Sequence, residues 1–129
     1  MRFSQDTTSR GYTIHAVTAN GVMVKSPEGG SLLLRCSFII SAESLITDWE
    51  PRAIDQLQSS HFAAIVALQP EVVLLGTGAR LHFPPPALLA PLMAAGIGCE
   101  VMDGAAACRT SNVLNGEGRK VVAALLFSE

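Results

Sequence analysis

The chain has 129 residues, of which 49% are hydrophobic and 16% are charged, and its formal net charge is −2. This length and composition argue against disorder and predict one domain with one hydrophobic core over residues 1–129. The slightly acidic balance, with basic residues scattered along the chain, argues against nucleic-acid binding. Residues 1–11 precede the first strand-like pattern, and we expect them to form a poorly ordered arm.

No apolar run reaches the roughly 20 residues that span a bilayer, and MRFSQDTTSRGY at the amino terminus lacks the apolar core of a signal peptide. The three cysteines, Cys36, Cys99 and Cys108, form neither a CxxC motif nor a zinc-ligand spacing with histidine. Their apolar or helical surroundings are typical of buried thiols in a reducing compartment. We therefore expect a cytoplasmic protein that does not enter a membrane and holds no metal or other cofactor.

The first third of the chain reads as an antiparallel β-meander. Residues 12–18 alternate between apolar and polar, and Asn20-Gly21 is typical of a tight hairpin turn. Residues 22–26 return to a second turn at 27–30. Residues 31–41 contain few charges and predict one longer strand that is covered on both faces.

A tryptophan and a helix are expected next. Trp49 is expected to fill the junction between the meander and the following elements. Ser59 or Ser60 is a candidate N-cap for a helix that runs through Leu68, and Pro70 ends it.

The chain then alternates between strands and helices. Residues 72–75 form a short apolar run, typical of a strand that is buried on both faces. The prolines at 84–86 predict the start of a helix that Gly96 caps, and residues 97–102 follow as a second strand. A strand, a helix and a strand in this order predict a parallel, right-handed crossover unit.

A further helix is predicted over about 105–114, closed by Asn115-Gly116. The last segment, 120–127, is an almost uninterrupted apolar strand, so it belongs in the middle of a sheet rather than at an edge. The sequence therefore predicts an α/β fold.

Gly76-Thr77-Gly78, at the end of the strand 72–75, resembles part of a phosphate-binding loop. The dinucleotide fingerprint needs a third glycine where this chain has Leu81, and it needs a helix that starts at the loop. Three prolines lie before the next helix instead, and prolines have no N–H to offer. We favour the interpretation that the two glycines turn the chain at a strand end.

Three segments together resemble a known family: PEVVLLGTG at 70–78, MDGAAACRTSNVL at 102–114 and GEGRKVVAALLF at 116–127. They resemble a family of small domains of unknown biochemical function, which includes mitochondrial complex I assembly factor 3 and many bacterial and archaeal proteins. The resemblance covers the chain from the first hairpin onward. It implies a three-layer α/β fold with a central mixed β-sheet, the β-meander as an additional layer and helices packed on the sheet. It also implies a last strand that runs antiparallel between its neighbours.

Two positions depart from the family pattern, which usually has threonine in place of Gly104 and an aromatic residue in place of Ser111. The loss of an aromatic side chain at Ser111 predicts a small pocket or an altered contact surface. The mitochondrial relatives act in the assembly of a membrane complex, which by analogy favours a binding or scaffold role for this chain.

Ligands of open α/β sheets bind at the carboxyl ends of parallel strands, which directs attention to the ends of 72–75 and 97–102. A polar cleft is the hypothesis there, with nine candidate binding residues and no catalytic or metal-binding residue: Gly76, Thr77, Gly78, Asp103, Arg109, Thr110, Asn112, Glu117 and Arg119. The alternative is structural, because buried polar groups need partners. In that alternative Asp103 caps a helix, Arg109 pairs with a carboxylate and Asn112 satisfies backbone groups.

Two functions remain open from the sequence. The first is a non-catalytic cytoplasmic module that binds a protein partner and assists assembly. The second is a small-molecule-binding protein or weak enzyme that uses the polar cleft. We also expect self-association, because the edge strands of a hairpin-rich segment need covering.

Overall fold

The computed structural model describes residues 11–127, in two β-sheets with helices packed against them. The predicted arm, 1–11, lies outside the described residues except for Gly11. Three antiparallel strands form the first sheet, in the order β1-β2-β3. They are β1 (Thr13–Thr18), β2 (Gly21–Lys25) and β3 (Ser31–Leu34), and they confirm the predicted meander.

The second sheet is mixed and has five strands in the order β5-β4-β8-β6-β7. Its strands are β4 (Phe38–Ile40), β5 (Leu45–Ile46), β6 (Val72–Gly76), β7 (Gly98–Met102) and β8 (Val121–Leu125). β8 lies third of the five and all its residues are buried, which confirms the prediction for the last strand. The α/β fold with a central mixed sheet is thereby confirmed.

Three α-helices cover this sheet. They are α1 (Ala63–Ala67), α2 (Ala90–Ala94) and α3 (Gly104–Gly116), and 3-10 turns at Ser59–Phe62 and Pro86–Leu89 lead into the first two. Gly96 has φ +74° after α2, in the left-handed region that glycine favours at a helix end, as predicted.

The two faces of the central sheet bury different cores, because side chains alternate along a strand. On one face Val73, Leu75 and Val122 pack against α1, α2 and Trp49. On the other face Leu74 and Ala123 pack against α3 and the three-stranded sheet. The layers are therefore helices, central sheet, and α3 together with the smaller sheet.

The predicted strand 31–41 is wrong as one element. The chain leaves the first sheet after β3 and enters the central sheet at β4, and residues 35–37 form the break. Ser37 fixes it, because its Oγ accepts the Phe127 N–H at 2.9 Å and its carbonyl accepts the Trp49 N–H at 3.0 Å. Only the β4 half is covered on both faces, since Leu32 and Leu33 are 45% and 44% exposed.

The direction that the family resemblance implies for the last strand is also corrected. β8 is antiparallel to β4 but parallel to β6. The reason is that α3 carries the chain from the carboxyl end of β7 back to the amino end of the sheet, so β8 starts where β6 and β7 start.

The segment around Trp49 differs from the prediction in its helix start. The α-helix begins at Ala63, and the preceding 3-10 turn is held by His61, whose Nδ1 accepts the Gln58 N–H at 2.9 Å. Trp49 is 7% exposed, and its Nε1–H donates to the His61 carbonyl at 3.1 Å. The tryptophan therefore fills the junction as predicted.

A close backbone approach joins α3 to β6. A Cβ built on Gly76 would lie 3.1 Å from the Ala107 Cβ and 3.3 Å from the Gly104 Cα. A side chain at either glycine would hold the helix away from the sheet, because a packed core has no spare volume.

We expect Gly76→Ala to lower the free energy of unfolding by about 1–3 kcal/mol through overpacking. The matched control is Gly116→Ala, because a Cβ at Gly116 would meet nothing within 4 Å. Chemical denaturation of both variants checks this, with the control expected within about 1 kcal/mol of the parent. Equal stabilities for the two variants would contradict the close approach.

Candidate functional site

A groove of about 770 Å³ opens at the carboxyl ends of β6 and β8. Leu125, Leu126 and Phe127 line it from the end of β8, and the β1–β2 turn, residues 52–55 and the start of α3 line it from the sides. The ends of β6 and β7 are adjacent, because Gly76 pairs with Met102. The groove therefore lies where the sequence predicts a cleft.

Hydrogen bonds within the protein use the polar groups of the Gly76-Thr77-Gly78 turn. The Thr77 N–H donates to the Met102 carbonyl at 2.9 Å, and the Thr77 hydroxyl donates to the Arg80 carbonyl at 2.6 Å. The same hydroxyl accepts the His82 N–H at 3.1 Å. Gly78 has φ +95°, which glycine adopts readily. These bonds agree with the interpretation of a structural turn rather than a phosphate loop.

The amino end of α3 is occupied by Asp103. Its Oδ1 accepts the Ala106 N–H at 2.9 Å, and the Gly104 N–H donates to the Gly78 carbonyl at 2.8 Å. A carboxylate at this position is stabilised by the helix dipole and disfavours a second anion. Asp103 thus makes the contact that the structural alternative predicts.

The structure distributes the nine predicted residues over several surfaces. Thr77, Gly78 and Asp103 line the groove, whereas Gly76 is buried beneath α3. Arg109 and Asn112 border a smaller groove of about 270 Å³ between β1 and α3. Thr110 is half-buried on the same helix, so the structure does not assemble these residues into one cleft.

Asn112 binds backbone groups of β1. Its Nδ2 donates to the Ile14 carbonyl at 2.8 Å, and its Oδ1 accepts the Ile14 N–H at 3.4 Å. The side-chain amide therefore pairs with the outer edge of β1 as a neighbouring strand would.

Glu117 and Arg119 lie at the opposite end of α3 from Asp103. The helix has 13 residues and is therefore about 20 Å long. Arg119 pairs with Glu71, Nε to Oε1 at 2.9 Å, instead of with Asp103. Both side chains are about half exposed, so the pair contributes little to stability.

Two further groove residues escaped the sequence analysis. Arg52 and Arg80 both line the groove, from segments that are 28 positions apart in the chain. No local motif joins them, because the fold alone brings the two segments together. Ser111, by contrast, is 2% exposed and contributes neither a pocket nor a contact surface.

The cysteines of the described residues are free thiols. Burial raises the pKa of Cys108 to about 12, although the charge of Arg109 opposes this shift. Burial, followed by the charge of Glu100, raises the pKa of Cys99 to about 11. Neither thiol is prepared as a nucleophile at neutral pH. Within residues 11–127, no group of three or more His, Cys, Asp and Glu side chains is placed to hold a metal ion.

The fold and the groove define a small three-layer α/β domain whose central mixed sheet ends in a closed glycine turn. The chain belongs to the family described as "Protein of unknown function (DUF498/DUF598)", whose model matches residues 11–126. The family resemblance of the sequence is confirmed at this level, and the link to a complex I assembly factor is not part of the match.

Solved structures and a curated relative are similar to this chain. A Xanthomonas campestris protein solved by NMR is 38% identical with a TM-score of 0.75, covering 98% of this chain and 92% of that one. A Bordetella pertussis protein, described as a Mth938-like domain, is 27% identical with a TM-score of 0.77, covering 98% and 90%. The "13 kDa major membrane protein" of Francisella tularensis subsp. holarctica (strain LVS) is 31% identical over 90 residues, 70% of this chain and 69% of that protein.

The helices are short compared with a bilayer. Among the residues that the structure describes, none of the helices combines the length and the apolar character that crossing a membrane requires.

We expect Thr77→Val to lower the free energy of unfolding by about 1–3 kcal/mol, because the Arg80 carbonyl and the His82 N–H lose their partner. Thr77→Ser keeps the hydroxyl and is the matched control, with a smaller expected loss. Urea denaturation measures both values. A valine variant as stable as the serine variant would show that the hydroxyl does not hold the turn.

Stability is also expected to depend on the ionisation of Cys108. Its ordinary pKa is 9.0, and burial raises the pKa in the folded state to about 12. Below pH 9 the thiol is protonated in both states, and between about pH 9 and 12 the unfolded chain loses the proton first. The free energy of unfolding should therefore fall over this range. Cys108→Ala should make the fall shallower in denaturation curves, and an unchanged slope would contradict the assignment.

Proposed function

We propose that this chain is a non-catalytic binding module that recruits protein partners through the free edge of β3. The observation that carries the proposal is an apolar edge strand without the features that usually protect such edges. Natural proteins blunt exposed edges with short strands, bulges, charges or covering groups, because unpaired backbone groups otherwise pair with another chain.

The other edges of the described sheets are protected. β1 has an irregular register between Ile14 and Ala16, and Asn112 covers its outer edge at Ile14. β5 has two residues, and β7 carries Glu100 on its exposed side. Each of these features hinders the addition of a further strand.

β3 differs from these edges in its side chains. Its sequence is SLLL, and it pairs with β2 on one side. Leu33 lies on the outer face opposite Met23, and Leu32 lies opposite Val24 on the inner face. Both leucines are nearly half exposed, so an added strand would gain backbone hydrogen bonds and apolar contacts on both faces.

The family resemblance extends the proposal to the assembly of larger complexes, as for the mitochondrial relatives. We further propose that the chain works in the reducing cytoplasm, which the free cysteines support. The membrane protein name of the Francisella relative fits a partner at a membrane surface. A second copy of the chain is the simplest partner, because two β3 edges can pair across a two-fold axis.

A second candidate function is the binding of a small molecule in the groove. Its volume of about 770 Å³ falls in the range of ligand sites, which is roughly 300–1,000 Å³. This candidate is independent of the β3 edge.

We expect Leu33→Lys to abolish strand addition at β3, because a charged side chain on the edge must be desolvated when a partner pairs. Size exclusion with light scattering should show concentration-dependent dimers of the parent, with a dissociation constant at least about tenfold weaker in the variant. Leu81→Lys is the matched control, since Leu81 is 47% exposed on a different surface.

If the parent is a monomer at all concentrations, self-association is excluded and the partner is another protein. Proteins co-purified with the parent should then be lost with Leu33→Lys and retained with Leu81→Lys. Retention with both variants would contradict a partner site at β3.

A further inference from the structure

We infer that the groove at the carboxyl ends of β6 and β8 binds a small amphipathic carboxylic acid, with its carboxylate between Arg52 and Arg80. The inference rests on the second candidate function and names the chemical class of its ligand. Two unpaired guanidinium groups, the two carboxylates that border them and an apolar floor carry it.

The two arginines are available to a ligand. The ion pairs within residues 11–127 are His61 with Glu50 and Arg119 with Glu71, so neither Arg52 nor Arg80 has a carboxylate partner there. Guanidinium groups bind carboxylates with short, charge-assisted hydrogen bonds, often two at a time. The turn closed by Thr77 holds the backbone of Arg80 at the groove, because the Arg80 carbonyl accepts the Thr77 hydroxyl.

Two acidic side chains limit the charge of the ligand. Asp55 and Asp103 also line the groove, so its four charged side chains sum to zero. Asp103 is already held by the start of α3, and Asp55 stays as a repulsive group. A polyanion such as a nucleotide triphosphate therefore gains no net attraction, whereas a single carboxylate fits between the arginines.

The floor determines the rest of the ligand. Leu125, Leu126 and Phe127 contribute apolar surface at the end of β8, and Val17 and Val22 add to it from the small sheet. An alkyl or aryl body removes this surface from water, which is the main source of affinity in such sites. A free amino acid or a small sugar lacks that body.

Octanoate is a suitable probe, used below its micellar concentration, with octan-1-ol as the neutral control. Amide NMR spectra of the parent should show saturable shifts for Ala53, Ala79 and Ala105 with octanoate, and calorimetry gives the dissociation constant. We expect Arg52→Gln and Arg80→Gln each to weaken octanoate binding by about tenfold or more. Arg119→Gln, at the opposite end of α3, is the matched control and should leave binding unchanged.

The possible results separate the inference from the candidate function on which it rests. Tight binding of octanoate that depends on Arg52 and Arg80, with weaker binding of octan-1-ol, supports both. Equal binding of acid and alcohol in the groove, unaffected by the arginine variants, overturns the acid assignment but keeps a ligand groove. No shifts at groove residues with either probe overturns both, and unchanged amide dispersion of the variants shows that they are folded.

Discussion

The contact between α3 and the end of β6 is the constraint on which the rest of the structure depends. Gly76 and Gly104 bring two backbones together where any side chain would intervene. The approach aligns the Gly104 N–H with the Gly78 carbonyl, and this bond fixes the turn after β6 to the start of the helix. The same turn carries Arg80, so a packing requirement at two glycines determines one wall of the groove.

The central position of β8 has a similarly wide effect. Alternate residues of this strand enter two separate cores, so its alanines at 123 and 124 set the distance of the layers on both faces. Small residues in the middle of the sheet allow α3 to lie close on one side while larger side chains fill the other. Overpacking at this strand would therefore disturb both cores together.

The sequence predicts the elements whose signals are local and fails where distant segments decide. The apolar run of β8, the helix start at Asp103 and the glycine end of α2 all follow from residues next to each other. The break at 35–37 has no glycine or proline, and it exists because Ser37 bonds to Phe127, 90 positions away. The groove was predicted in place from the strand ends, but Arg52 was not, since no local signal connects it with Arg80.

The three-stranded sheet connects the two proposed surfaces. Val17 and Val22 of its β1 and β2 line the groove, and the other side of β2 pairs with β3, whose edge is free. A ligand that orders the β1–β2 hairpin would therefore act on the strand that supports a partner. Linkage requires the effect to be reciprocal, so a bound partner would change ligand affinity by the same factor. A binding module built in this way needs no catalytic residue to respond to a small acid.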